Sequence, residues 1–201
     1  MESIETKIIQ SIHGNAKGWV FSQTDFADLG PRTAIDKALS RLEKKGTILR
    51  VSRGIYYYPQ MGSLINEPLP PEMPKIAQAL ARKFGWIIVP SGATALNYLD
   101  LSTQVPAKYA YVSNGRSKTY LIGNMELWFK KGMLRESQFN HPKSAVIVQA
   151  IRALGKPYLT DKHIEKLRRY VDPSECSSIL RDTRSVTAWV YDAIRKICIR
   201  N

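Results

Sequence analysis

The chain has 201 residues, 44% of them apolar, and carries 30 Lys and Arg against 17 Asp and Glu, a formal net charge of +13. That is enough apolar material for one large core or two small ones and too much for disorder. No apolar run approaches the roughly 18 residues that cross a bilayer, no basic patch leads into an apolar leader, and the two cysteines, Cys176 and Cys198, are too few for a disulfide framework, so the expected setting is the cytoplasm, with no membrane partner.

Ile4, Ile8, Ile9 and Ile12 recur at helical spacing between Ser3, an N-cap residue type, and Gly14, which ends the run. Trp19-Val20-Phe21 reads as a short strand. Ser22-Gln23-Thr24-Asp25 then sets a capping side chain three residues ahead of an acid, the signature of a helix start. That second helix is short, because Leu29-Gly30-Pro31 stops it and Pro31 suits the first turn of the next. In the third helix Ile35, Ala38, Leu39 and Leu42 form one apolar stripe, closed by Gly46. At about 100° per residue, Thr33, Lys37, Ser40 and Lys44 point away from the stripe, with Arg41 beside them and Arg32 at the N-terminal end. Such a face fits the major groove, and it is also what any solvated helix shows.

The next stretch favours the groove. Thr47 to Val51 and Gly54 to Tyr58 are β-rich runs joined by Ser52-Arg53-Gly54, a glycine-containing hairpin turn. Three helices and a hairpin in this order are the elements of a winged helix-turn-helix, with Arg50 and Arg53 at the wing placed for DNA backbone or minor groove. For Tyr56, Tyr57 and Tyr58, packing of the strand on the helices is the preferred role for at least one face.

Asn66 to Pro74 is proline-dense and reads as a stiff linker or an arm running over the surface. Beyond it come a helix ending at Gly85, a strand from Trp86 to Val89 and a helix from Ala93 to Leu99. Strands follow at Tyr109–Ser113, Ser117–Ile122 and Met125–Lys130, with Asn114-Gly115 and Gly123-Asn124 as hairpin turns. Helices then run over Pro142–Leu154, Asp161–Tyr170 and Val186–Ile199. The expected fold class is α+β: a winged helix-turn-helix over 1–60, a linker over 61–75, and a second α+β domain over 76–201 with a small antiparallel sheet and C-terminal helices. From Met1 to Gln60 nine basic residues face six acidic ones, a net +3, which leaves +10 for the remainder. That excess favours a polyanionic partner. On the helix from Asp161, Lys162, Lys166 and Arg169 lie opposite the Ile164, Leu167 and Val171 stripe and, with Arg168, form a second basic surface: a DNA contact, a site for an acidic partner, or a solvated face.

Several features mimic chemistry. Pro90-Ser91-Gly92-Ala93-Thr94 lacks the Gly-x-x-x-x-Gly-Lys pattern of a phosphate loop and reads as a strand-to-helix turn. Ser113 to Lys118 reads as a solvated hairpin tip. Glu43-x-Lys45 is half of a nuclease signature without its partner acid. His13, His141 and His163 have no zinc spacing, and a histidine before Pro142 suits a cap or a surface position. No catalytic residue, metal or cofactor is expected.

The segment AIDKALSRLEKKGTILRVSRGIYYYP resembles the winged helix that opens the AbiEi-type antitoxin family, and VPSGATALNYLDLSTQVPAKYAYVSNGRSKTYLIG resembles the second domain of that group. The resemblance spans about Ile8 to Ile122. It implies a repressor of its own promoter, bound to double-stranded DNA, that serves as the antitoxin of a type IV toxin–antitoxin system and opposes a nucleotidyltransferase-like toxin without a stable complex. The alternatives are a DNA-processing nuclease guided by the same winged helix, for which no cluster of acids is found, and a protein-interaction module.

Overall fold

The Thr6 amide donates to Ser3 Oγ and starts α1 (Ile4–His13), the first element of the computed structural model, which describes residues 2–63, 67–132 and 139–199. The fold is mixed α+β, and the chain divides into two units, Met1–Trp86 and Ile87–Asn201. In the first, α1 is followed by β1 (Val20–Phe21), a 3-10 helix (Gln23–Leu29), α2 (Arg32–Lys44), the strands β2 (Leu49–Ser52) and β3 (Ile55–Tyr57), and α3 (Met73–Phe84). The three strands form an antiparallel sheet in the order β1-β3-β2.

The expected start of the second helix is present: Asp25 Oδ2 accepts from the Ser22 amide, and Ser22 Oγ caps in return. The element is a 3-10 helix, however, and Phe26 leaves helical geometry with φ −121° and ψ 16°. That departure turns its ring into the core against Trp19 and Phe21, at centroid distances of 5.8 and 5.4 Å. Ile8, Ile12, Phe21, Phe26, Ile35, Ala38, Leu39, Leu42 and Ile48 form one buried cluster. The α2 stripe read from the sequence is therefore the face that holds α2 to α1, and truncating a buried leucine such as Leu42 to Ala costs about 2–5 kcal/mol.

The proline-dense arm is not a spacer between domains. The Leu69 amide donates to the Gln60 carbonyl at 2.8 Å, the Gly62 amide to the Glu67 carbonyl at 2.8 Å, and the Tyr57 hydroxyl to the Leu69 carbonyl. Of the expected linker over 61–75, residues 64–66 lie outside the described residues. The arm folds back on its own sheet and delivers α3 to the same unit: Ile76, Ala77, Ala79 and Leu80 are buried, and α3 packs on β1, β3 and the 3-10 helix. The division therefore falls after Trp86, not between 75 and 76, because α3 needs the first unit to cover its apolar face.

The second unit contains β4 (Ile88–Pro90), α4 (Ala93–Tyr98), β5 (Lys108–Ser113), β6 (Lys118–Ile122), β7 (Met125–Lys131), α5 (Pro142–Leu154), α6 (Asp161–Tyr170), α7 (Cys176–Asp182) and α8 (Ala188–Cys198). Its sheet has the order β4-β5-β7-β6. It is mixed, where a small antiparallel sheet is the sequence-based expectation, because β7 enters between β5 and β6 and pairs parallel with β5. Two causes are visible. Asn114 does not turn a hairpin: its Oδ1 accepts from the Ile87 amide at 2.8 Å and its own amide donates to the Ile87 carbonyl, which ties it to the start of β4. In addition, Leu127 and Phe129 of β7 are fully buried, which suits a central strand, whereas β6 leaves Leu121 70% exposed at the edge.

α5 is the axis of the helical layer, buried at Ser144 to Val148, Ala150 and Ile151. Its first turn is held from α7. Asp182 Oδ2 accepts from the His141 amide at 2.8 Å and from the fully buried Ser144 hydroxyl at 2.9 Å. Beside it, Lys143 Nζ lies 2.6 Å from Glu175 Oε2 and donates to the Tyr170 carbonyl. The helix α7 has no counterpart in the sequence reading, which begins its last helix at Val186.

Candidate nucleic-acid interface

Pro31 precedes α2 and offers no side-chain cap to its first amides. A helix of this length with an uncapped N-terminus presents free N–H groups and positive potential there. Arg32 and Thr33 stand at that end. Arg32 reaches Asp36 one turn on, at 3.7 Å, with 78% of its side chain exposed. Along the outward face Thr33, Lys37, Ser40 and Lys44 are all exposed, and neither Lys37 nor Lys44 has a counter-ion among the described residues.

Arg41 differs. It is exposed, but its Nε lies 3.5 Å from Glu5 Oε2 and donates to the Lys37 carbonyl at 3.4 Å. Lys45 Nζ meets the other oxygen of the same carboxylate at 2.6 Å. The Lys45 ammonium holds the Glu5 pKa below the usual carboxylate range, with Arg41 assisting. Glu5 thus draws Arg41 of α2 and Lys45, the C-cap residue that follows it, toward α1 and leaves the Thr33–Lys37–Ser40–Lys44 face as the uncommitted one. The lysine of the Glu43-x-Lys45 half-signature thus pairs with the acid of a neighbouring helix.

The hairpin adds two further cations. Arg50 is exposed, opposite Tyr56, and its Nε donates to the Ser52 carbonyl at 3.4 Å. The register shifts between Arg50 and Ser52, a bulge that increases local twist at the tip. Arg53 and Gly54 make the turn itself, Gly54 in the left-handed region at φ +70° and Arg53 exposed. Of the tyrosines, Tyr57 is buried, Tyr56 stacks at 6.3 Å on Phe21, and Tyr58 faces His13 at 5.6 Å. All three serve packing.

The second basic surface is less uniform than its spacing implies. Arg168 donates through Nε and Nη2 to the Lys196 carbonyl at 3.1 and 2.8 Å and pairs with Glu165, so it closes the C-terminal turn of α8. Lys166 Nζ donates at 2.6 Å to the carbonyl of Asp100, a residue at φ +54°. Lys162 and Arg169 remain exposed without a counter-ion among the described residues.

Several residues of the turns and histidines singled out in the sequence make structural hydrogen bonds. Thr94 Oγ1 accepts from the Ala110 amide, and the Ser91 amide donates to the Ala110 carbonyl, which stitches that turn to β5. Ser113 Oγ accepts from the Gly115 amide and Ser117 Oγ from the Lys131 amide. His141 and His163 each accept a backbone amide at a helix start. Among the described residues no group of His, Cys, Asp and Glu is placed to hold a metal ion, and no helix is long and apolar enough to cross a membrane.

One contact at the hairpin turn escapes sequence reasoning. Lys83, in the last turn of α3, donates through Nζ to the carbonyls of Arg53 and Gly54 at 3.0 and 3.2 Å. No local pattern signals a contact across 30 residues, and α3 is read from the sequence as part of the other domain. A family model described as "Family of unknown function (DUF6088)" matches residues 7–179. No curated protein matches the chain.

Proposed function

We propose, for a chain that belongs to the DUF6088 family, the function of a DNA-binding transcriptional repressor that uses its first unit as a winged helix. The observation that carries this reading is the free face of α2: an uncapped start at Arg32 and Thr33, then Lys37, Ser40 and Lys44 exposed in line. Packed by one stripe and open by the other, α2 has the character of a recognition helix, whose N-terminal part reads base edges in the major groove. Arg50 and Arg53 on the hairpin supply backbone or minor-groove contacts. The element order helix, strand, 3-10 helix, helix, hairpin supports the same reading.

The biological setting follows from the resemblance of AIDKALSRLEKKGTILRVSRGIYYYP to the AbiEi-type antitoxins: autorepression of its own promoter in the cytoplasm, and opposition to a nucleotidyltransferase-like toxin without a stable complex. A footprint on the DNA directly upstream of its own gene tests the repressor. Protection is expected for the wild type, and Arg53→Ala is expected to weaken binding to all sequences alike, with the salt slope reduced by about one counterion. An unprotected upstream region sinks the repressor reading; a change in sequence preference for Arg53→Ala shows the wing reading bases.

A further inference from the structure

The two-residue turn of the β2–β3 hairpin is held from outside the hairpin. Lys83 Nζ takes both carbonyls of the turn, Arg53 at 3.0 Å and Gly54 at 3.2 Å, while Ser52 and Ile55 pair on either side. Gly54 makes room for this contact as well as supplying the positive φ: a Cβ there would sit 2.6 Å from Lys83 Nζ. The donor comes from a fixed platform. Ile76, Ala77 and Leu80 bury one face of α3. Arg82 pairs through Nε with Asp25 Oδ1 at 2.7 Å and donates through Nη2 to the Val20 carbonyl at 2.8 Å. Arg82 and Lys83 thus bind adjacent parts of one sheet from one helical turn.

We propose that Lys83 is a positioning residue for the wing: it fixes the turn so that Arg53 is aimed before DNA arrives. The proposal rests on the reading that the hairpin contacts DNA. A hairpin tip with free carbonyls moves on nanosecond to microsecond timescales, and ordering it on binding costs affinity. Lys83 removes that cost by ordering the tip in advance. Because its ammonium is turned onto the carbonyls, it acts through Arg53 and makes no phosphate contact of its own. The functional module therefore includes α3 and runs to Trp86.

A double-mutant cycle in the full chain tests this. Lys83→Met, Arg53→Ala and the pair are titrated across a salt series with a duplex taken from directly upstream of the gene and with a mixed-sequence duplex of equal length. Lys83→Met is expected to weaken binding several-fold in the wild-type background and not at all in the Arg53→Ala background. Lys83→Arg, which also donates to two carbonyls, is expected to restore most of the loss. Additive losses, each lowering the salt slope by about one counterion, make Lys83 a phosphate contact and overturn the proposal. Nitrogen relaxation of Arg53 and Gly54 reads the brace without DNA: larger amplitudes in Lys83→Met at an unchanged melting temperature are expected, and unchanged amplitudes overturn it. If the wild type binds neither duplex, the DNA reading itself fails and the positioning role falls with it, a result distinct from additivity.

Discussion

Lys37 and Lys44 stand two helical turns apart on α2, whereas Arg41 and Lys45, on the neighbouring edge, share the Glu5 carboxylate. The cations read as equivalent from spacing are therefore unequal in what they have left to offer a phosphate or a base. These pairs are open to water on the cation side, with Arg41 and Lys45 each 61% exposed against 17% for Glu5, and ion pairs so screened contribute little to stability, so the consequence falls mainly on binding. Lys37→Ala and Lys44→Ala are expected to weaken operator binding by about 1–3 kcal/mol where they touch bases, and Arg41→Ala by less, all at unchanged melting temperature. Glu5→Gln carries the opposite sign: it releases Arg41 and Lys45 and removes a negative charge beside the face, so affinity should rise. Equal losses for Lys37→Ala and Arg41→Ala, with no gain for Glu5→Gln, would show that the Glu5 pairing does not shape the interface.

Between elements, the start of α5 is a polar junction that ties α7 and the turn before it to the helical layer. Burial alone would raise the Asp182 pKa, but the His141 amide, the Ser144 hydroxyl and Asn140 together hold it below its ordinary value. The Lys143 ammonium, with the Asp172 amide, does the same for Glu175. A carboxylate whose folded pKa is depressed stabilises the fold above its unfolded pKa, and that contribution is lost as pH falls through the lower folded value. Stability of the second unit is thus expected to decline on acidification below about pH 4, the ordinary carboxylate range. Asp182→Asn should lower the melting temperature at neutral pH and flatten the acid limb; a parallel pH profile for the two proteins would remove Asp182 from the linkage. This junction also marks where sequence reasoning stops. The helices Ile4–His13, Pro142–Leu154 and Asp161–Tyr170 follow from local periodicity and from caps immediately flanking each segment. The place of β7 between β5 and β6, the attachment of α3 to the first sheet, and the hold of Lys83 on the hairpin depend on partners distant in sequence, which periodicity does not encode. For the candidate site, the outward face of α2 and the exposed Arg53 were legible because a 3.6-residue repeat and a turn glycine are local signals. The diversion of Arg41 to Glu5, and of Arg168 to the end of α8, was not.

Across the whole chain the charge is divided unevenly. With the border at Trp86, the first unit holds twelve basic and eight acidic residues, a net +4, and the second holds 18 and nine, a net +9. A fragment ending at residue 60 would discard α3, the Arg82 and Lys83 contacts and the cover on the sheet, so the informative fragment is 1–86. It retains α2, the hairpin and the brace but less than a third of the net charge. If the second unit also touches DNA, this fragment should protect the same upstream region as the full chain, more weakly and with a shallower salt dependence, since fewer counterions are released. Dimerisation through the second unit would weaken the fragment as well, but sedimentation would then report a dimer for the full chain. The residues for a direct test follow from their partners. Reversing Arg168 or Lys166 to Glu would strip the Lys196 or Asp100 carbonyl of its donor and mix folding with binding. Lys162→Glu with Arg169→Glu alters charge at two exposed positions of α6 and should leave the melting temperature in place. Weaker DNA binding in that variant assigns the second surface to DNA. Intact DNA binding with failed toxin neutralisation assigns it to antitoxicity, and no change in either makes it a solvated face whose charge serves solubility alone.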